Sequence, residues 1–234
     1  MSAVLGIDTS STDLSIGIYR ENRPLASFCR FIGNSHAEQI ATAIRNLLAA
    51  TDIDPSSIDR SAIAIGPGSF TGLRIGIAFL KGFCIGKTAR VLPLSSLLIL
   101  AHAARHHNGR VVAAIDARNN DVYWASFAAS GGRITRLTSD TVSSVEPFTG
   151  NITEGDMVVT DTVGFKRSTV FSLLKGRFPV LQIEDYPLHR GLLCAAQGAE
   201  ALDDTSRWSD ATVIRPNYLR RSAPEEHRLK GSAL

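Results

Sequence analysis

Cysteine is scarce in this chain, with three in 234 residues, and the scarcity excludes whole classes of fold. Cys29, Cys84 and Cys194 are odd in number, far apart and set among apolar neighbours, so there is neither a disulfide framework nor the paired spacing of a zinc ribbon. A reduced, cytoplasmic setting is the expectation. Long apolar runs are missing too: none approaches the ~18 residues of a membrane helix. The opening MSAVLGID has no basic region followed by an apolar one, as a signal peptide would. Charge of one sign is also sparse. A formal net charge of +3 makes no demand for nucleic acid as a direct ligand, and the locally basic RPNYLRR (215 to 221) reads as a solvated tail.

The usual nucleotide cradles are absent as well. GPGSFTGLRIG (66 to 76) follows the apolar run AIAI and has the glycines of a strand-to-helix turn whose N–H groups face an anion. A P-loop needs Gly-Lys followed by Ser or Thr, but here Thr71-Gly72 leads to Leu73, so no lysine reaches a phosphate. The dinucleotide pattern is missed by one residue, and no acid follows about twenty positions on to hold a ribose. Ser69 lies in G-S-F-T-G, which is not the nucleophile elbow. His102 and His106 have the i, i+4 spacing of two metal ligands but no matching acid near them in sequence; in the last turn of a helix they suit its dipole. A protease based on such a pair would lack both its remaining ligand and its base.

What is present is a repeated order of elements. VLGID, LSIGIY and LASFCRFI read as three antiparallel strands. A helix over 35 to 50 follows, with Ser35 placed to cap it and Glu38 three residues on. Its apolar face is made by Ile40, Ala43, Ile44, Leu47 and Leu48 at helical spacing. AIAIG is then a strand, 70 to 86 a helix, VLPL a strand, and 95 to 107 a third helix. From residue 110 the order runs again: VVAAID, VYWASF and a strand near RITRL, a helix, MVVTD, a helix near 166 to 176, PVLQI, and a helix from Arg190 to Leu202. GIDTSSTDLSIGIY lies over AIDARNNDVYWASF, placing Asp8 on Asp116 and Asp13 on Asp121. The fold class is therefore α/β with two lobes, 1–108 and 109–234, each a βββαβα unit whose mixed sheet is flanked by helices.

Two sites are candidates. Asp8, with Thr9 and Ser10 after it, and Asp116 end strands before polar turns; they would position a metal-bound nucleotide between the lobes or simply cap those turns. The second is the helix over 70 to 86, apolar nearly all round. One of its faces carries Gly72, Ile75, Gly76, Phe79 and Phe83, and its four glycines imply the close approach of another backbone. That face packs either on the helix over 35 to 50 or on a partner.

Repeated βββαβα lobes opening on IDTS resemble the actin, Hsp70 and sugar-kinase superfold. Within it, IDTSSTDLSIGIY, Ser35-His36-Ala37-Glu38, AIAIGPGSFTGLRIGIAFLKG, AIDARNNDVYW and PNYLR are similar to the TsaB (YeaZ) family, noncatalytic relatives of TsaD. The resemblance implies a scaffold subunit of the complex that installs N6-threonylcarbamoyl on adenosine 37 of tRNAs reading ANN codons. It would dock on TsaD through the helices over 35 to 50 and 70 to 86, in an assembly that includes the small ATPase TsaE. For the chain alone, a homodimer through the same helices and a monomer both stay open, and any tRNA contact is indirect or weak. Where TsaD carries a His-x-x-x-His metal pair this chain has Ser96 and Leu100, and VVTDTVG (158 to 164) has one glycine where a kinase has a Gly-rich loop. No metal, cofactor or catalytic residue is expected. The competing reading is an ATP-dependent small-molecule kinase of the same superfold built around Asp8 and Asp116.

Overall fold

The computed structural model describes residues 3–33, 35–160, 180–181 and 189–220. The helix expected near 166 to 176 and most of VVTDTVG lie outside them. A two-residue alternation builds the first sheet: in β1 (Ala3–Asp8), Ala3, Leu5 and Ile7 face one side and Val4 the other. β2 (Asp13–Arg20) and β3 (Arg23–Phe31) continue antiparallel from β1. β4 (Arg60–Gly66) and β5 (Arg90–Ser95) add in parallel on its other edge. The apolar faces of α1 (His36–Ala50) and α2 (Phe70–Cys84) cover the Leu5 and Ile7 side. α1 starts without the expected capping box, for the Ser35 side chain makes no bond to the helix. The buried His36 anchors that end instead, its Nε2 donating to the Asp13 carbonyl at 3.3 Å.

After the short α3 (Ser96–Ala101) the plan repeats. β6 (Gly109–Arg118), β7 (Asp121–Ser130) and β8 (Arg133–Arg136) form an antiparallel meander, and β9 (Thr141–Ser144) pairs with β7. α4 (Val145–Gly150) follows, then β10 (Met157–Thr160) and β11 (Val180–Leu181), both parallel to β6. The strand order β11-β10-β6-β7-β8 is that of β5-β4-β1-β2-β3, so the repeat read in the sequence is a repeat of topology. The chain then ends its described part with α5 (Arg190–Glu200) and β12 (Ser209–Asp210).

The two halves of the chain exchange helices across the division expected after residue 108. α3 leaves the first half and buries Leu97, Leu100 and Ala101 against Val111, Ala113 and Phe127 of the second sheet. α5 leaves the second half and packs Cys194 and Ala195 on Val4, Ala62 and Ala64 of the first, and β12 extends that first sheet beside β5. Each sheet has two apolar faces, and its own lobe's helices cover only one of them. Among the described residues, no helix is long and apolar enough to cross a membrane.

The α5 contact is backbone on backbone. Gly6 and Gly17 sit opposite each other in the β1–β2 ladder, and a methyl group on either would overlap main-chain atoms of α5, at Gly191 and at Leu192 respectively. Gly82 in α2, by contrast, has open space where a side chain would go. Gly17→Ala is therefore expected to cost about 3 kcal/mol or more, as backbone overlap cannot relax by rotamer change. Gly82→Ala is expected to gain about 0.5 to 1 kcal/mol by restricting the unfolded chain and favouring the helix. Urea denaturation of both variants measures the contrast.

Candidate functional site

The first candidate site is the turn after β1. Asp8 Oδ1 accepts from both the backbone N–H and the hydroxyl of Ser10, each at 2.7 Å. Its other oxygen faces Nε of Arg190, the first residue of α5, at 3.4 Å, with the two side chains 0% and 3% exposed. Ser69 N–H donates to the Ser10 carbonyl at 2.7 Å. Gly68, at φ +154°, lies so close to that carbonyl that a side chain would overlap it. Thr9 is buried against Gly72 and Gly76. The first-turn N–H of Gly72 is taken by Ser69 Oγ at 3.2 Å. Two N–H groups that a phosphate would meet, those of Ser69 and Gly72, are therefore taken inside the chain, and the GPGSFTG loop closes over the turn. The Arg190 guanidinium balances the buried Asp8 carboxylate, while among the described residues Asp8 Oδ2 and Thr9 Oγ1 make no hydrogen bond.

The turn after β6 repeats the same bond. Asp116 Oδ1 accepts from Arg118 N–H at 2.8 Å, as Asp8 does from Ser10. Arg118, Asn119 and Asn120 are left-handed (φ +63°, +53° and +63°) and exposed, making a tighter hairpin than in the first lobe. Among the described residues, no hydrogen bond or ion pair joins Asp8 to Asp116. Arg220 reaches this second turn, donating to Asp121 at 3.0 Å and to the Ala117 carbonyl at 3.1 Å.

Arg220 lies in a segment expected to be a solvated tail, and for residues 215–220 that expectation is corrected. Asn217 N–H donates to the Ile65 carbonyl at 2.7 Å, completing the exposed end of β4. The Tyr218 ring stacks on Phe70 at 4.6 Å, and Arg74 Nε donates to its hydroxyl at 2.8 Å while lying 3.8 Å over the Phe70 ring. The segment is a strap from the first sheet to the second. Neither Arg190 nor the strap contacts were legible in the sequence, since Arg190 stands 182 positions from Asp8 and starts a helix like many others, and RPNYLR showed charge and a family motif but no contact.

The second candidate site is the outer face of α1 and α2, and the ten residues expected there divide. Ile40, Ala43, Ile44 and Leu48 point under the helix into the core. Gly72 and Gly76 face Thr9, so the close backbone they were expected to admit is that of the same chain. Leu47, Ile75, Phe79 and Phe83 are left partly exposed, with Ile32 and Phe28 beside them in the same apolar cluster. The Phe79 and Phe83 rings stack at 6.0 Å, and Lys87 Nζ lies 3.6 Å over Phe83. This is a contiguous aromatic and aliphatic strip at the join of two helices, of the kind interfaces use.

Ser96 and Leu100 are both buried in α3, Leu100 within the core of the second sheet. The helix expected to reach residue 107 ends at Ala101, and residues His102–Ala104 form a tighter 3-10 turn. His106 lies beyond that turn, outside any helix, and its Nε2 accepts from Arg105 Nε at 3.3 Å. Burial, with help from Arg105 and Arg207, depresses the His102 pKa to about 4; the ring is neutral at pH 7 and adds no charge to the helix dipole, which corrects the expected role. Burial likewise raises the thiol pKa of Cys29, Cys84 and Cys194, leaving all three protonated and unreactive.

A family model described as "TsaD: tRNA N6-adenosine threonylcarbamoyltransferase" matches residues 30–176. The chain belongs to the TsaD family. Within it the similarity runs to TsaB proteins. The tRNA threonylcarbamoyladenosine biosynthesis protein TsaB of Bacillus subtilis is 31% identical over 58% of this chain and 60% of its own length. That of Escherichia coli is 34% identical over 53% and 54%. The matches thus span little more than half the length of these curated relatives. The structure of YeaZ from Pseudomonas aeruginosa, at 28% identity, superposes with a TM-score of 0.77 over 94% of this chain and all of that one. The two-lobed fold is therefore shared well beyond the region of clear sequence similarity to the TsaD family.

Two outcomes are expected from the buried charges. Arg190→Met should cost about 3 to 5 kcal/mol by stranding the Asp8 carboxylate, and adding Asp8→Asn should restore part of it; a double-mutant cycle in urea measures the coupling. For His102 the folded pKa of about 4 lies below the ordinary 6.5, so the unfolded chain binds the extra proton between these values. Stability should fall by up to about 3 kcal/mol as the pH drops from 6.5 to 4, and His102→Leu should flatten that slope. Thermal melts across the window report it.

Proposed function

We propose that this protein serves tRNA threonylcarbamoyladenosine biosynthesis as a noncatalytic subunit that docks on the catalytic relative TsaD through the outer face of α1 and α2. One observation carries the reading: the turn that would hold a nucleotide is closed by the chain's own Arg190 and GPGSFTG loop, while Leu47, Ile75, Phe79 and Phe83 stay accessible. The printed names of the B. subtilis and E. coli relatives support the pathway. A face built of helix ridges and two stacked phenylalanines suits another pair of helices, and so favours a related protein with the same α1–α2 arrangement.

In this reading the subunit does its work by rigid presentation. α2 is held from below by Thr9 and the β1–β2 turn and from the side by the Phe70–Tyr218 stack, so its outer face keeps one geometry and costs little ordering on association. The small ATPase TsaE belongs to the same assembly, and a second copy of this chain would occupy the face when TsaD is lacking. The closed first turn weighs against the alternative of a small-molecule kinase.

The test must avoid core positions. A charge at Ile44 or Gly76 would unfold the chain, since one is in the core and the other lies against Thr9. Ile75→Asp and Phe79→Asp place the charge on the accessible strip. Each should reduce co-purification with TsaD of the same organism at least about tenfold while leaving the melting temperature nearly unchanged. Each should also fail to restore threonylcarbamoyladenosine in tRNA of cells depleted of their own TsaB, where the unmodified chain succeeds. Undiminished co-purification by both variants would refute the docking surface.

A further inference from the structure

Acidic residues avoid one part of this protein. Between Arg60 and Ile115 there is no Asp or Glu, although 22 acids in 234 residues would place about five there by average composition. The same interval carries seven Lys and Arg. Residues 211–220 contain no acid either and add Arg215 and Arg220. The fold brings these two acid-free stretches together along α2. Lys81 Nζ donates to the Thr212 carbonyl at 3.1 Å, and Arg215 donates to the same carbonyl and to that of Ile214. Arg74, about two turns and therefore about 10 Å along the helix from Lys81, sits on the Phe70–Tyr218 stack.

Carbonyl oxygens position Lys81 and Arg215, and the Tyr218 hydroxyl with the Phe70 ring positions Arg74, without neutralising them. Among the described residues no carboxylate pairs with Arg74, Lys81 or Arg215. Tyr218 is 39% exposed and presents a ring edge and face beside Arg74. The helical phase puts Arg74 and Lys81 on the stripe of α2 next to, but not within, the Ile75, Phe79 and Phe83 strip, so a partner on that strip leaves the cations open.

We infer that the α2–strap surface formed by Arg74, Lys81, Arg215 and Tyr218 binds the sugar-phosphate backbone of tRNA directly, in place of the indirect contact expected from net charge. Fixed, separated cations match discrete phosphates, and a guanidinium stacked with two aromatic rings offers a plane to an unpaired base, a combination that RNA uses and a membrane does not require. The identity of the RNA as tRNA rests on the proposed function.

The experiment is fluorescence anisotropy of an unmodified tRNA transcript with the full chain between 50 and 200 mM salt. Lys81→Gln with Arg215→Gln, which leaves the Arg74–Tyr218 stack intact, should weaken binding by about tenfold at low salt and make the log–log salt slope shallower by about 1.5 to 2. Adding Arg74→Gln should weaken it further. Equal affinity and slope for the double variant overturns the inference, as does absence of tRNA binding by the unmodified chain. Tighter binding of polyglutamate or anionic vesicles than of tRNA also overturns it. A chain that restores threonylcarbamoyladenosine in cells yet binds no tRNA sinks this inference alone, whereas failure to restore it sinks the proposed function.

Discussion

α5 lies with its backbone directly on β1 and β2, and most of the arrangement follows from that contact. Gly6, Gly17 and Gly191 remove the side chains that would otherwise hold helix and sheet at the usual spacing. With the helix this low, its first residue, Arg190, enters the sheet at the level of Asp8 and meets the carboxylate in a site from which water is excluded. The helix that closes the second half of the chain thus becomes the cover for the first sheet, as α3 does in return for the second. Two lobes locked by exchanged helices cannot separate without exposing both cores.

The same economy of space explains GPGSFTG. Its glycines admit the Ser10 carbonyl at Gly68, the strap at Gly66 and Thr9 at Gly72, and Gly76 one turn further along α2 also faces Thr9. A loop of this composition in a kinase would admit phosphate; here main-chain atoms of the same protein crowd Gly66, Gly68 and Gly72, and the N–H groups of Ser69 and Gly72 are bonded within the chain. Closing the turn also fixes α2, because Thr9 and the Phe70–Tyr218 stack hold it on two sides. The closed turn and the defined outer face are then one construction, in which the aromatic strip on one flank and the cationic strip on the other have a rigid support.

The βββαβα repeat was legible in the sequence because strand and helix periods are local properties: Leu5 and Ile7 alternate, and Ile40, Ile44 and Leu48 return every turn. The Asp8 and Asp116 turns were legible for the same reason, each being a bond between residues two apart. The apolar character of α2 marked it as buried on two sides. Periodicity did not reveal which neighbour lay on each side, so Gly72 and Gly76 read as an outward face when they pack inward, and His102 read as a charged cap when burial keeps it neutral.

What the sequence determined by itself was the set of elements, their order and their apolar faces, since these arise from side-chain chemistry repeated over a few residues. The tertiary structure decided the partners: Arg190 for Asp8, Arg220 for Asp121, Tyr218 for Phe70 and Arg74, and α5 for the first sheet rather than the second. These choices join residues about a hundred or more positions apart, and no local pattern encodes them. They are set by which buried charge must be balanced and which apolar sheet face is still uncovered when the last helix arrives.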